Sequence, residues 1–282
     1  MNLNAKSMKA FFGRIFSSTR ALAIPVTFLI LFVSMLGVIA VAYYYSIEKV
    51  TARSQELKVS MAKQSMSNLD DNILSVFGLS GSSRTMDFND CNGELNVQPS
   101  ANLMTINITA DNGTIASAIF STIIGQVTYE LPYYESPETG LFLKGDGRTI
   151  VNQSGATVTQ LYIARGAEHQ EILLRYRPFA SFIDSGTQGD KSVIDLRIYI
   201  VNLNVSQSIE LSGKVPLKIS CDSVENFVSS YDIPYQLNTL TVTAVSEGTE
   251  GQVAFSISCA YGGAVLTVEV VVCNIEIERC MR

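Results

Sequence analysis

Histidine is almost missing from this chain: of 282 residues, one, His169, is a histidine. A His-rich metal site is thereby excluded, and a Ser-His-acid triad has a single position on which it could be built. His169 is flanked by Glu168 and Glu171, and we read it as exposed at a strand entry rather than catalytic. Charge is scarce too. Asp, Glu, Lys and Arg make up 16% of the chain, against about a quarter in soluble globular proteins. The five cysteines, Cys91, Cys221, Cys259, Cys273 and Cys280, include no CxxC pair and no metal-ligand spacing. No acid precedes Glu48, and neither Pro nor Gly occurs from 48 to 77. There is no fixed-period repeat and no low-complexity tract.

The apolar excess, 47% of residues with a mean hydropathy of +0.22, gathers partly in one block. Residues 21–47 contain no Asp, Glu, Lys, Arg or His. A helix crossing the hydrocarbon core needs about 20 mostly apolar residues, so this stretch is long enough with room for tilt. Pro25 is expected at its start, where a missing N–H costs least. Tyr43, Tyr44 and Tyr45 close it, at the headgroup level that tyrosine favours. Ahead of it stand Lys6, Lys9, Arg14 and Arg20, which resist translocation and place the N-terminus inside. The 20 basic residues less those four leave 16 after the block, against all 26 acids, a net charge of −10. That acidity excludes a nucleic-acid partner and a polybasic grip on anionic lipid. The competing reading is a cleaved secretory signal, with Ala40-Val41-Ala42 as a small-x-small site. The apolar run ahead of that site, about 19 residues, exceeds the usual ~7–15.

Residues 48–77 are rich in helix formers, and Val50, Leu57, Met61, Leu69, Ile73 and Val76 recur at helical spacing. Together with the apolar block this predicts one helix of about 57 residues ending near Gly78. From Thr85 the period changes to two. Met104, Ile106 and Ile108 alternate with polar residues, as do Ile194, Leu196, Ile198 and Ile200, then Val215, Leu217 and Ile219, then Val253, Phe255, Ile257 and Cys259. Asn112-Gly113 and Gly262-Gly263 are expected turns, Pro216 suggests an edge strand, and 222–231 could form a helical turn. Across 264–277 the polar positions change parity, which predicts a bulge or break near Val271–Val272. The fold class expected is therefore α+β: a long N-terminal helix followed by an antiparallel β-sandwich-like domain. The expected divisions are a cytoplasmic basic leader (1–20), a transmembrane helix (21–47), an extracytoplasmic helix extension and linker (48–84) and a β-rich extracellular domain (85–282).

No chemistry-bearing constellation emerges. Glu135 and Glu138 read as two solvated acids in a loop, and Gly145-Asp146-Gly147 as a tight turn with no following helix to hold phosphate. No catalytic residue, metal ligand or cofactor is assigned, nor any small-molecule substrate. Outside the membrane disulfides are allowed, and one or two bridges are expected among Cys221, Cys259, Cys273 and Cys280, the pairing left open. Four sequons, at Asn107, Asn112, Asn152 and Asn204, are candidate glycosylation sites by topology rather than by number.

A basic leader followed at once by an apolar helix, an amphipathic continuation and a β-domain resembles type IV pilin-like proteins, with archaeal pilin-like and archaellin-like surface proteins nearest. The residues that carry this are Arg20-Ala21 before Leu22-Ala23-Ile24-Pro25-Val26, then Arg175-Tyr176-Arg177-Pro178-Phe179, Ile198-Tyr199-Ile200-Val201-Asn202-Leu203 and Val224-Glu225-Asn226-Phe227. The glutamate that bacterial members carry as the fifth residue after cleavage is absent, since Val26 stands there. The resemblance implies cleavage between Ala21 and Leu22 on the inner side. It also implies retention of the helix, self-assembly or association with other pilin-like subunits, and no enzymatic activity. Ser34, Gly37 and Ala40 would let helices approach closely. The alternatives are a bitopic surface protein whose β-domain binds a ligand without forming filaments, and an anchored or secreted enzyme with no recognisable site.

Overall fold

The computed structural model describes residues 19–280 except 90, 132–139, 153–156, 166–169, 205–206, 208 and 258–261, with side chains from Pro25 onward apart from Leu211. The chain is α+β: a 58-residue helix, α1 (Thr19–Val76), precedes a sheet-rich body. By its internal contacts it divides into two compact units, Met1–Leu57 and Lys58–Arg282.

Pro25 lies inside α1 rather than at its start. Having no N–H, it leaves the carbonyl four residues back, that of Ala21, without its helical partner. The helix stops at Val76, and Gly78 follows at φ +75, the left-handed conformation that closes helices. In the second unit, residues 58–76 bury a stripe of Ala62, Met66, Leu69, Ile73 and Val76 at spacings of four and three. Val50, Leu57 and Met61, expected on the same stripe, are exposed. At 100° per residue Met61 points more than a third of a turn away from Met66, so the buried face is the one set by Ala62 and Met66.

The strands are β1 (Ser83–Phe88), β2 (Glu94–Ala110), β3 (Gly113–Leu131), β4 (Phe142–Lys144), β5 (Val151–Asn152), β6 (Thr159–Arg165) and β7 (Gln170–Tyr176). They continue with β8 (Phe179–Gln188), β9 (Lys191–Asn202), β10 (Ile209–Ser212), β11 (Val215–Ile233), β12 (Thr239–Ser246), β13 (Thr249–Ser256) and β14 (Ala264–Arg279). One sheet has the order β1-β11-β14-β9-β8-β5, the other β13-β12-β2-β3-β7-β6-β4 with β10 on β2. Pairing is antiparallel except for β9 with β14 and β5 with β8.

The buried side chains form two clusters, each drawing on both sheets. The first also contains the α1 stripe, with Leu95, Val127, Tyr129, Tyr176, Leu217, Ile219, Ile275 and Ile277. The second contains strand residues together with Ile150, Leu237 and Ile257, but none from α1. Long strands run through both clusters and change face on the way. β9 gives Ile194, Leu196, Ile198 and Ile200 to the second, then Val201 to the first. β14 gives Leu266, Val268, Val270 and Val272 to the second, then Cys273, Ile275 and Ile277 to the first. This is the parity change expected near Val271–Val272. The ladder irregularity that accompanies it lies on the neighbouring strand, between Cys221 and Ser223 of β11.

Other expectations are corrected. Residues 222–231 are strand, the middle of β11, not a helical turn. Pro216 is not on an edge, because β11 pairs with both β1 and β14. It is tolerated because the β14 ladder begins only at Leu217↔Arg279, and beyond it Cys280 N–H donates to Pro216 O at 2.9 Å. Gly262-Gly263 turns into β14 as expected, but the turn closes no hairpin, since β13 and β14 belong to different sheets. The pair is fixed by packing: a Cβ on Gly263, at φ +96, would lie 2.1 Å from Ile233 O. The β2–β3 turn is Asp111-Asn112, with Gly113 already paired to Ala110. The first strand begins at Ser83, two residues before Thr85.

Candidate functional site

From 25 to 47 every side chain of α1 is exposed, including Phe28, Leu29, Leu31, Phe32, Leu36 and Val38. In water such a charge-free, predominantly apolar surface has no stable place, and α1 is the one helix among the described residues long and apolar enough to cross a bilayer. Ser34, Gly37, Val38, Val41, Ala42 and Tyr45 outline a shallow depression on it, and a Cβ on Gly37 would meet nothing within 4 Å. The expected cleavage point, Ala21–Leu22, lies in the opening turns of α1. There Pro25 has left the Ala21 carbonyl without a helical hydrogen bond, so the bond that would be cut is at a weakened place in the helix.

In the second unit α1 carries a wholly buried acid. Asp70 adjoins Leu69 on the buried face. A carboxylate there is tolerated only if its lone pairs are taken up. Tyr176 OH donates to Oδ1 at 2.9 Å, Thr159 Oγ1 donates to the same oxygen at 2.8 Å, and Lys144 Nζ donates to Oδ2 at 2.5 Å. Thr159 and Tyr176 are direct cross-strand partners of β6 and β7, and Lys144 ends β4 at the edge of that sheet. Lys144 also donates to the exposed Asp71 at 2.8 Å.

The loop that carries Lys144 is itself fixed. Arg177, the residue after Tyr176, has a buried guanidinium that donates to Thr157 O, Asp146 O, Arg148 O and Asp146 Oδ1. Gly145 follows Lys144 at φ +82, and a Cβ there would lie 2.1 Å from Thr159 O. Gly145-Asp146-Gly147, expected as a plain tight turn, is therefore packed round Arg177. Arg148 first, and Arg177 with it, hold the Asp146 carboxyl well below the usual range. Within Arg175-Tyr176-Arg177, Arg175 donates to Gln160 Oε1 at 2.8 Å and pairs with Glu247. Sequence reading missed Asp70 altogether; the available signal was an acid beside Leu69 on the side of α1 that carries Met66 and Ile73.

This arrangement sets a pH dependence. Burial first, and then the Asp70 charge, push the Tyr176 hydroxyl well above its ordinary value. Partial burial pulls Lys144 down, but its hydrogen bonds to Asp70 and Asp71 outweigh that and hold it above its ordinary value. Both shifts are upward, so the stability they carry is whole below about pH 10 and is lost as pH rises beyond it. There the unfolded chain releases protons that the folded chain keeps. The Tm of the second unit is expected to stay level to about pH 10 and then fall, and Tyr176→Phe to make that fall shallower. An equally steep fall in Tyr176→Phe would remove Tyr176 from the account.

Elsewhere, a cleft of about 410 Å³ opens between β3 of one sheet and β9, β11 and β14 of the other. On its polar side Asn202 Nδ2 donates to Asn274 Oδ1 at 2.7 Å, and Asn274 Nδ2 donates to Ser223 Oγ and Glu225 Oε1. Its apolar side includes Val272 and the exposed Phe227.

The expected modification residues are dispersed. Asn112 is exposed at the β2–β3 turn, and Asn107 is partly buried, its Oδ1 accepting from Ala118 N–H. Asn204 is exposed and Asn152 partly buried, but the rest of each of these sequons lies outside the described residues. Cys221 and Cys273 come together, their Sγ atoms 3.1 Å apart. Cys280 is half-buried and Cys91 buried. His169, Glu168, Glu135, Glu138 and Cys259 lie outside the described residues. Among the described residues no group of three or more His, Cys, Asp or Glu is placed to hold a metal ion. Comparison with protein-family models, with curated proteins and with solved structures gave no match.

Proposed function

We propose that this chain is a non-enzymatic, pilin-like, membrane-anchored surface protein: a filament subunit whose N-terminal helix first holds it in the membrane and then packs among copies of itself. The observation that carries the proposal is the charge-free, wholly exposed helix surface from 25 to 47. Lipid and a core of packed helices are both apolar, so the same surface suits both states. The basic leader keeps the N-terminus cytoplasmic and the body outside, where the two sheets serve as a β-sandwich. Pro25 denies the Ala21 carbonyl its helical hydrogen bond, which lowers the cost of unwinding the backbone at Ala21–Leu22 and so supports processing there.

The test is the mature N-terminus, read by mass spectrometry on protein from native membranes and from sheared surface material. Leu22 as first residue, with the apolar helix retained and the chain present in the sheared fraction, is the expected result. An intact Met1 found only in membranes would sink the filament reading.

A second reading, a bitopic surface protein that binds a ligand and forms no filament, draws support from the cleft beside Phe227. Its amide and carboxylate groups next to an exposed aromatic ring are a usual makeup for small-ligand recognition. Under that reading the unprocessed chain stays in the membrane, and Phe227→Ala abolishes binding without altering localisation.

A further inference from the structure

β11 and β14 run in register from Leu217↔Arg279 to Cys221↔Ile275, slip past Asp222, and resume at Ser223↔Asn274. The extra residue in β11 draws Cys221 toward Cys273, which lies two residues along β14 from Ile275. Both side chains are wholly buried in the cluster that holds the α1 stripe, and their sulfurs stand 3.1 Å apart. That is closer than two non-bonded sulfurs rest, and about 1 Å from the length of a disulfide. The surroundings belong to the end of α1. Gly78 N–H donates to Cys273 Sγ at 3.3 Å, Gly81 N–H donates to Cys221 O at 2.8 Å, and Cys221 N–H donates to Ser82 O at 3.0 Å. The two cysteines thus lie beneath the turn that joins α1 to β1.

We infer that Cys221 and Cys273 form an intramolecular disulfide in the mature protein, a covalent staple under the end of α1. The inference rests on the reading that the sheet-rich body is outside the cytoplasm, where such bonds persist. The oxidant is a disulfide carried by a thiol-oxidising protein in that compartment. One cysteine thiolate attacks a sulfur of the carrier disulfide, giving a mixed disulfide and releasing one carrier thiol. The other cysteine thiolate then attacks the mixed disulfide at the chain's own sulfur. The Cys221–Cys273 bond forms and the second carrier thiol leaves, so the carrier gains the two electrons and two protons that the cysteines lose. The exchange precedes closure of the core, because once folded the Cys273 thiol is pushed up to about 12, chiefly by burial, and supplies almost no thiolate.

The experiment takes full-length chain from native membranes, blocks free thiols in denaturant without reductant, and maps disulfide-linked peptides by mass spectrometry. A peptide joining Cys221 to Cys273 is the expected result. Reduction should then lower the Tm by about 10 °C, as expected for a loop of this length in a unit of this size. A Cys221→Ser/Cys273→Ser double variant should lose that reductant-dependent shift. Both cysteines recovered as blocked thiols, either one joined to a different cysteine, or a reductant-dependent shift that survives in the double variant would overturn the inference. Protease access on intact cells separates the premises. Blocked thiols in an accessible body overturn the staple alone, whereas blocked thiols in a shielded body overturn the placement outside as well.

Discussion

Replacing Asp70 by alanine is expected to destabilise the second unit by about 3–5 kcal/mol, the range found when one partner of a buried charged set is removed. The figure follows from the wholly buried acid and not from Lys144, whose side chain is about one-third exposed and adds little by itself. Without the carboxylate, the Tyr176 hydroxyl and the Thr159 hydroxyl are left buried with no acceptor. Lys144 keeps only the exposed Asp71. Urea unfolding of residues 58–282 measures the loss. Asp70→Asn, which keeps one acceptor oxygen, should cost roughly half as much. Replacing the set by apolar groups of similar shape, Asp70→Leu with Thr159→Val and Tyr176→Phe, should recover most of the loss, because no orphaned polar group remains. A loss below about 1 kcal/mol in Asp70→Ala would mean that the carboxylate does not hold the helix to the sheet.

The difference between what was legible and what was not follows the range of each interaction. The helix end at Gly78, and the alternation in Met104-Ile106-Ile108 and Ile194-Leu196-Ile198-Ile200, depend on neighbours in the chain, and sequence reading found them. Even the face change in β14 was visible, as a shift in which residues are polar. Its cause was not visible, because it lies in the passage of several strands between two cores. Non-local features were misread. Pro216 suggested an edge, but whether a proline breaks a ladder depends on where the partner strand stops, here at Arg279. Gly262-Gly263 marked a turn, but nothing local to it showed that the following strand would pair in parallel with β9. The stripe on α1 was placed by counting the large apolar residues, whereas the tertiary face uses Ala62 and tolerates Asp70. Asp70 itself, typical of a surface acid in composition, is defined only by Thr159, Tyr176 and Lys144, which lie more than 70 residues away.

Because the end of α1 lies within the first core, two truncations are expected to contrast sharply. A fragment covering residues 58–282 should be soluble without detergent and unfold cooperatively, since it keeps the whole compact unit and sheds the exposed apolar surface of α1. A fragment beginning at Ser83 keeps every strand and should nevertheless fail to reach a single native state. It lacks Met66, Leu69, Ile73 and Val76, all essentially without exposure in the first core. At about 1.5–3 kcal/mol for each such side chain, the loss is roughly 6–12 kcal/mol, comparable with the entire 5–15 kcal/mol stability of an ordinary domain. It also strips the Tyr176 and Thr159 hydroxyls of their acceptor. Near-UV circular dichroism and gel filtration distinguish the outcomes: fixed tertiary signal and a monomer for the longer fragment, weak signal and aggregation for the shorter. Cooperative folding of the shorter fragment at similar stability would show that the end of α1 merely lies on the sheets. The expected contrast makes that end part of the core. For an anchored or filament-forming protein the consequence is mechanical: a pull transmitted along the helix cannot peel it away without unfolding the body, and the proposed Cys221–Cys273 staple would hold β11 to β14 beneath the far end of the buried stretch.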